Sequence, residues 1–337
     1  LLKNQMMMLD ILANNDWERP IYFTGGSYSD SEYIWMKKYL QLEGLVYKLV
    51  PIETDLGDDN PYLMGRIDSD LMYDIVMQWE WGNSESLDIY HDTETRKNSI
   101  SFRSNMARLA ETLINENKFE KAKAILDLGI EKMPLDYFGY YSLLVPFVDG
   151  YYRINEVDKA KELSQKIGEK YNDRLAYFES LNANLQYSMG EEIITEIERY
   201  RVLVEADLKH GENIELTPVL NQFMESFLPF KFLYGDYEFY TGLVDITEGY
   251  YLDGEIELAQ DLTRKISAQY EERLGLYNQV SEDSQLQIIK RIQRELNGFN
   301  YVVQIVKAYD NTEFVNEIEI MFSKNLNLFS SVLSEED

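Results

Sequence analysis

One stretch of this chain occurs twice. Phe-Gly-Tyr-Tyr-Ser-Leu-Leu-Val from Phe138, followed by Gly150-Tyr151-Tyr152, returns as Tyr-Glu-Phe-Tyr-Thr-Gly-Leu-Val from Tyr237, followed by Gly249-Tyr250-Tyr251. The register then holds without a gap: Glu156 pairs with Glu255, Ala160 with Ala259, Leu163 with Leu262, Ile167 with Ile266, Tyr171 with Tyr270 and Arg174 with Arg273. Such an internal duplication constrains the fold strongly. Each copy must be a supersecondary unit that buries its apolar face on its neighbours.

The apolar spacing inside and around the copies is helical. Met106, Leu109, Ala110 and Leu113 share one face, Asn117 makes a turn, Phe119, Ala122, Leu126 and Gly129 share the next face, and Pro134 ends it. Small residues at Ala110, Ala122 and Gly129 let two antiparallel helices approach closely, as a tetratricopeptide hairpin requires. The copies fit that template more loosely, through Leu144, Phe147, Tyr151, Val157, Ala160 and Ile167 and their later equivalents. Further helices are predicted over 175–189, 191–209, from Thr217-Pro218, over 281–296 and over 312–327, with Thr217-Pro218, Ser281 and Thr312 as N-terminal caps. Residues 105–337 are therefore expected to form a tetratricopeptide-like helical repeat domain with a concave face.

The N-terminal part has a different period. A helix is predicted from Gln5 to Asn14, a strand over Ile21-Tyr22-Phe23-Thr24 bounded by Gly25-Gly26, a helix through Tyr33, Met36, Tyr39 and Leu40, and a strand over 45–50 closed by Pro51. Strand, helix and strand at this spacing predict a small α/β unit of βαβ type over residues 1–60. Residues 61–104 read as a linker containing one helix, over 71–81. The expected fold is thus mainly α, a helical repeat array preceded by a small βαβ unit.

Composition excludes several classes of function. Sixty acidic against thirty-two basic residues leave a formal charge of −28, which repels nucleic-acid backbones and anionic lipid headgroups. The absence of cysteine removes disulfides, thiolate chemistry and cysteine-ligated zinc. No apolar run reaches the ~18 residues that a membrane helix needs. The chain opens on Leu1 rather than methionine, so an upstream segment is expected.

No catalytic constellation emerges. The chain has 26 tyrosines, with aromatic clusters at Tyr137 to Tyr152 and Phe227 to Tyr251, and aromatic faces bind sugar rings and peptides. Tyr141, Tyr151, Tyr240 and Tyr250 are therefore candidate binding residues, although aromatics at helical spacing also serve as packing between repeats. Gly25 and Gly26, at a strand-to-helix junction, are candidates for backbone contact with a phosphate or sugar, against the simpler reading as a turn. The loop Asp55 to Asp59 lacks the ligand spacing of a calcium site, and His91 and His210 lie far apart in sequence. Neither metal nor cofactor is expected.

Two segments carry a resemblance: Asn14-Asn15-Asp16-Trp17-Glu18-Arg19-Pro20-Ile21-Tyr22-Phe23, and Lys38-Tyr39-Leu40-Gln41-Leu42-Glu43-Gly44-Leu45-Val46-Tyr47-Lys48-Leu49-Val50-Pro51. They resemble the region just after the membrane part in a family of bacterial multi-pass membrane proteins of unknown function, whose N-terminal half is similar to protein O-mannosyltransferases. Members of that family end in a soluble helical tail with tetratricopeptide-like repeats. The resemblance implies a soluble region on the periplasmic face of the inner membrane, joined to the membrane only through upstream segments. It carries no catalytic residue to this chain, since the catalytic acid of such enzymes belongs to the membrane half. Arg19, Tyr22, Glu43 and Gly44 match the motif, and Arg19 and Tyr22 join the candidate binding residues.

The expected function is a non-catalytic accessory module that contacts an acceptor polypeptide or partner protein through its repeats, with a glycan as a second class of partner. The alternative is an independent tetratricopeptide-type scaffold unrelated to sugar transfer. A small-molecule enzyme built on the α/β unit and its glycine turn ranks behind both.

Overall fold

The computed structural model describes residues 3–24, 33–55, 64–210, 222–223, 225–226, 228–230 and 237–333. The chain divides into two compact units, Leu1–Ala160 and Lys161–Asp337. The described residues are mainly helical, with one small sheet among them near the N-terminus.

The first unit opens with α1 (Lys3–Ala13), which buries none of its residues. It ends in a tight turn where Asp16 and Trp17 both take positive φ. Three strands follow, β1 (Tyr22–Thr24), β2 (Leu40–Glu43) and β3 (Val46–Leu49), in the order β1-β3-β2. Both pairings are antiparallel, so the expected βαβ unit is corrected to an antiparallel sheet. The extra strand β2 lies between β1 and β3 in sequence, and the hairpin it makes leaves β3 antiparallel to both. Among the described residues between β1 and β2, Tyr33 is helical and a 3-10 segment, Ile34–Tyr39, follows it. Leu40, expected to close that helix, instead begins β2, all four of whose residues are buried. Gly44 explains the reversal. With φ at +67° it closes the β2–β3 hairpin, and a Cβ there would sit 3.1 Å from the Trp79 ring.

The helices α2 (Ser69–Met77), α3 (Thr93–Lys97), α4 (Ser99–Asn115), α5 (Phe119–Lys132) and α6 (Leu135–Phe138) complete most of this unit. The segment expected as a linker thus holds two helices and the first turns of α4. Asp68 caps α2 by accepting from the Leu71 amide at 3.1 Å, and Asp92 caps α3 by accepting from Thr95 at 2.7 Å. The predicted hairpin is α4 and α5, with Met106, Leu109, Ala110, Leu113, Ala122 and Leu126 all buried. Gly129 is required by packing: a Cβ there would meet a Phe147 ring carbon at 2.7 Å. Next come α7 (Val145–Arg153) and α8 (Val157–Glu179), whose first turn contains the division between the units.

The second unit continues with α9 (Ala183–Ser188), α10 (Gly190–His210), α11 (Tyr237–Asp253), α12 (Ile256–Tyr277), α13 (Glu282–Gln287), α14 (Ile289–Tyr309), α15 (Phe314–Leu328) and α16 (Ser330–Leu333). The helix expected from Thr217-Pro218 begins outside the described residues. Ser281 holds the N-cap position of α13, but its hydroxyl faces that of Ser284 at 3.0 Å and makes no capping bond to the backbone. The Thr312 hydroxyl accepts from the Phe314 amide at 3.2 Å, at the start of α15.

One helix-to-helix corner recurs at Asn117, Asn155 and Gly254, each with positive φ. The residue after each turn donates its amide five residues back: Lys118 to Leu113, Glu156 to Tyr151 and Glu255 to Tyr250, at 2.8, 2.9 and 2.9 Å. A buried alanine follows four residues on in every case, Ala122, Ala160 and Ala259.

The duplication runs well past Phe178. Helices α9 and α10 return 99 residues later as α13 and α14 with the same bounds. The Gln186 amide donates to the carbonyls of Phe178 and Leu181, and Gln285 donates to those of Tyr277 and Val280. Tyr171 stacks on Tyr200 at 5.0 Å and Tyr270 on Phe299 at 5.4 Å, while Phe223 and Phe322 each add an edge-on ring. Each copy is therefore centred on three aromatic rings in one geometry.

Candidate functional site

The expected binding residues do not converge. Tyr151 is buried, and its hydroxyl donates to Asp127 at 2.8 Å, a carboxylate that Lys159 also reaches at 2.6 Å. Burial and the Asp127 carboxylate push its pKa well above the ordinary tyrosine value. Tyr250 is buried too. Its hydroxyl donates to the Leu208 carbonyl at 3.2 Å, and burial pushes its pKa up to about 12. Tyr141 is half-buried in a 3-10 turn. Tyr240 lies in α11 by its backbone, and its side chain, like Gly25 and Gly26, is outside the described residues.

At the sheet, Tyr22 donates to Glu43 at 3.1 Å, and Glu43 also accepts from Gln41 at 2.9 Å with Lys48 3.4 Å away. Burial first, then the Glu43 carboxylate, raise the Tyr22 pKa. Tyr22 and Glu43 thus tie β1 to β2 across β3. Arg19 is exposed, and its carbonyl accepts from the Asn15 amide at 2.8 Å.

A pocket of about 320 Å³ opens on the other side of the Gly44 turn, within the first unit. Its wall is aromatic. Trp79 and Trp81, just beyond α2, meet Phe102 of α4, with ring centroids 5.0 Å apart for Trp79–Phe102, 5.4 Å for Trp81–Phe102 and 5.7 Å for the two tryptophans. Leu45 from the hairpin turn and Met133 and Phe138 add apolar surface, while Glu80, Thr95 and Asn98 supply polar groups. Its size and mixed lining are those of a small-ligand site.

Several bonds hold this wall in place. Asn105 donates to the Gly44 carbonyl at 2.9 Å, fixing the hairpin against α4. Ser84 donates to the Lys132 carbonyl at 2.7 Å, and Lys132 reaches Glu85 at 2.9 Å, so the loop after Trp81 is pinned to the end of α5. The hydrogen bond from Lys132 holds the Glu85 carboxyl below its usual range. Behind the lining lies Arg103, fully buried, donating to the carbonyls of Met133 at 2.7 Å and of Gly139. Burial lowers its pKa to about 10, which leaves it charged at neutral pH. His91 lines the pocket with its ring 5.4 Å from Tyr137 and 5.5 Å from Phe138, and its amide donates to the Tyr137 hydroxyl at 2.6 Å.

Sequence spacing gave no warning of this pocket. Trp79 and Trp81 lie in one segment and Asn98 and Phe102 in another, and together they form no short motif. The detectable signal was the pair Trp79 and Trp81, two of the chain's four tryptophans within three residues. Among the described residues no group of three or more histidines and carboxylates is placed to hold a metal ion.

Residues 1–71 match the family model described as TMEM260-associated domain 2. The match covers the sheet, the Gly44 turn and Leu45 at the pocket rim. No curated protein and no solved structure matches the chain.

Proposed function

We propose that this chain is a non-catalytic accessory module of a membrane glycosyltransferase-like protein, lying on the extracytoplasmic, periplasmic face of the membrane. The observation that carries the reading is the match of residues 1–71 to a TMEM260-associated domain, a family that is O-mannosyltransferase-like. It agrees with the resemblance borne by the segments Asn14–Phe23 and Lys38–Pro51. Among the described residues no helix is long and apolar enough to cross a membrane, so on this reading the membrane part is supplied by other segments of the same protein.

The helices from α4 onward act, on this reading, as a tetratricopeptide-like array that meets an acceptor polypeptide or partner protein. Met106, Leu109, Ala110, Leu113, Ala122, Leu126 and Pro134 follow the spacing of that repeat's signature positions, and the recurring corners at Asn117, Asn155 and Gly254 support it. The test is genetic. Deleting residues 105–337 from the encoded protein in its host, with the rest of the gene intact, should reduce glycan attachment to exported proteins as read by intact-mass spectrometry. Unchanged occupancy with the truncated protein present at normal level contradicts the proposal.

A further inference from the structure

From the aromatic pocket of the first unit we infer a saccharide-binding site, taking a neutral pyranose ring against Trp79, Trp81 and Phe102. A pyranose has an apolar C–H face and a rim of hydroxyls, and the pocket has the matching halves. The three rings touch one another and form one wall, and the Asn98 carboxamide and Glu80 carboxylate stand beside it with no hydrogen-bond partner among the described residues. Both are exposed, so their bonds to water are free to exchange for bonds to hydroxyls.

Other ligand classes fit less well. The described lining contains no lysine or arginine, which a phosphate or carboxylate ligand would call for. A quaternary ammonium needs rings spread around it, whereas centroids 5.0 to 5.7 Å apart leave no room for a cation between them. A wholly apolar ligand would strip water from Asn98 and Glu80 without replacing its hydrogen bonds. A volume of about 320 Å³ lies at the small end of ligand sites, which suits one or two sugar rings.

The site also relates to the matched segment. Leu45 forms part of the rim and Gly44 lies against Trp79, so the hairpin turn within residues 1–71 shapes one wall. The inference rests on the pocket alone and does not depend on the repeats meeting a polypeptide.

Ligand-observed saturation-transfer NMR on the full chain tests it, with methyl hexopyranosides and N-acetylhexosamines as probes and tetramethylammonium as the competing cation. At least one sugar should receive saturation, Trp81→Ala should weaken its binding about tenfold, and Asn98→Ala should weaken it less. Should Trp81→Ala not fold by circular dichroism, the exposed Asn98→Ala decides alone. No transfer to any sugar in folded protein, transfer to tetramethylammonium instead, or undiminished binding in the folded variants overturns the inference. The deletion experiment above is unaffected by any of these outcomes, so the two proposals fail separately.

Discussion

The two copies of the duplicated segment share a skeleton and differ at one electrostatic joint. In the later copy Arg273 meets Glu295 at 2.6 Å, with side chains only 3% and 2% exposed. In the earlier copy the same positions hold Arg174 and Glu196, 3.8 Å apart, and the arginine is 48% exposed in a shallow open groove with Arg199 and Glu191. The aromatic trio, the glutamine clamp and the corner are common to both. Duplication therefore preserved the packing that defines the unit and left the ion pair free to become a buried or a surface feature.

That contrast sets the largest expected effect. Arg273→Ala leaves Glu295 buried and unpaired, which costs about 3–5 kcal/mol, whereas Arg174→Ala should cost no more than about 1 kcal/mol. Urea midpoints of the two variants read the difference. The double replacement Arg273→Met with Glu295→Leu should recover most of the loss, because well-packed apolar residues replace a buried pair at little net cost.

A second asymmetry is steric. A Cβ at Gly298 would lie 2.5 Å from the Tyr270 hydroxyl, while the equivalent position in the earlier copy is Arg199 and already carries a side chain. Gly298→Ala should destabilise by about 1–3 kcal/mol through overpacking, and Arg199→Ala should stay within about 0.5 kcal/mol. Equal losses in thermal unfolding would mean that the close approach of Gly298 to Tyr270 does not set the tolerance of this position.

The same comparison shows what could be read from sequence. The copies were legible from Phe138 to Phe178 because Gly-Tyr-Tyr and the alanine four residues past each corner recur with identical letters. They were illegible over α9–α10 and their equivalents α13–α14 because there the duplication keeps roles and changes letters, Tyr200 becoming Phe299 and Ile197 becoming Leu296. The N-terminal unit was misread for another reason. Leu40 was joined to a helix by its apolar spacing, and only the antiparallel pairing of Leu40–Glu43 with Val46–Leu49, closed by Gly44, makes it the start of a strand. The aromatic pocket was hidden because its rings come from the end of α2 and from α4, which only tertiary packing brings together.

Smaller effects sharpen the comparison at the corners and the tyrosines. Gly254 at φ +83° and Asn155 at φ +63° serve the same turn, so Gly254→Ala should cost about 1 kcal/mol and Gly254→Asn less, with Asn155→Gly near neutral in the same unfolding assay. The smallest signal is alkaline. Tyr250 has its pKa raised from 10.0 to about 12, so the fold favours its neutral form. Its contribution to stability is complete below pH 10, where the unfolded chain begins to ionise, and is lost as pH rises through about 12. Unfolding midpoints across that range should fall less steeply in Tyr250→Phe than in the parent.

On this reading the repeat tyrosines are interior packing groups and binding belongs to the aromatic pocket. Nitration of the native chain with tetranitromethane, mapped by peptide mass spectrometry, tests the first half directly. Tyr90 and Tyr177, 83% and 54% exposed, should be modified rapidly, while Tyr151, Tyr171, Tyr200, Tyr250 and Tyr270 should resist until the chain is unfolded. Modification of those five at the rate of Tyr90 in folded protein would contradict the account.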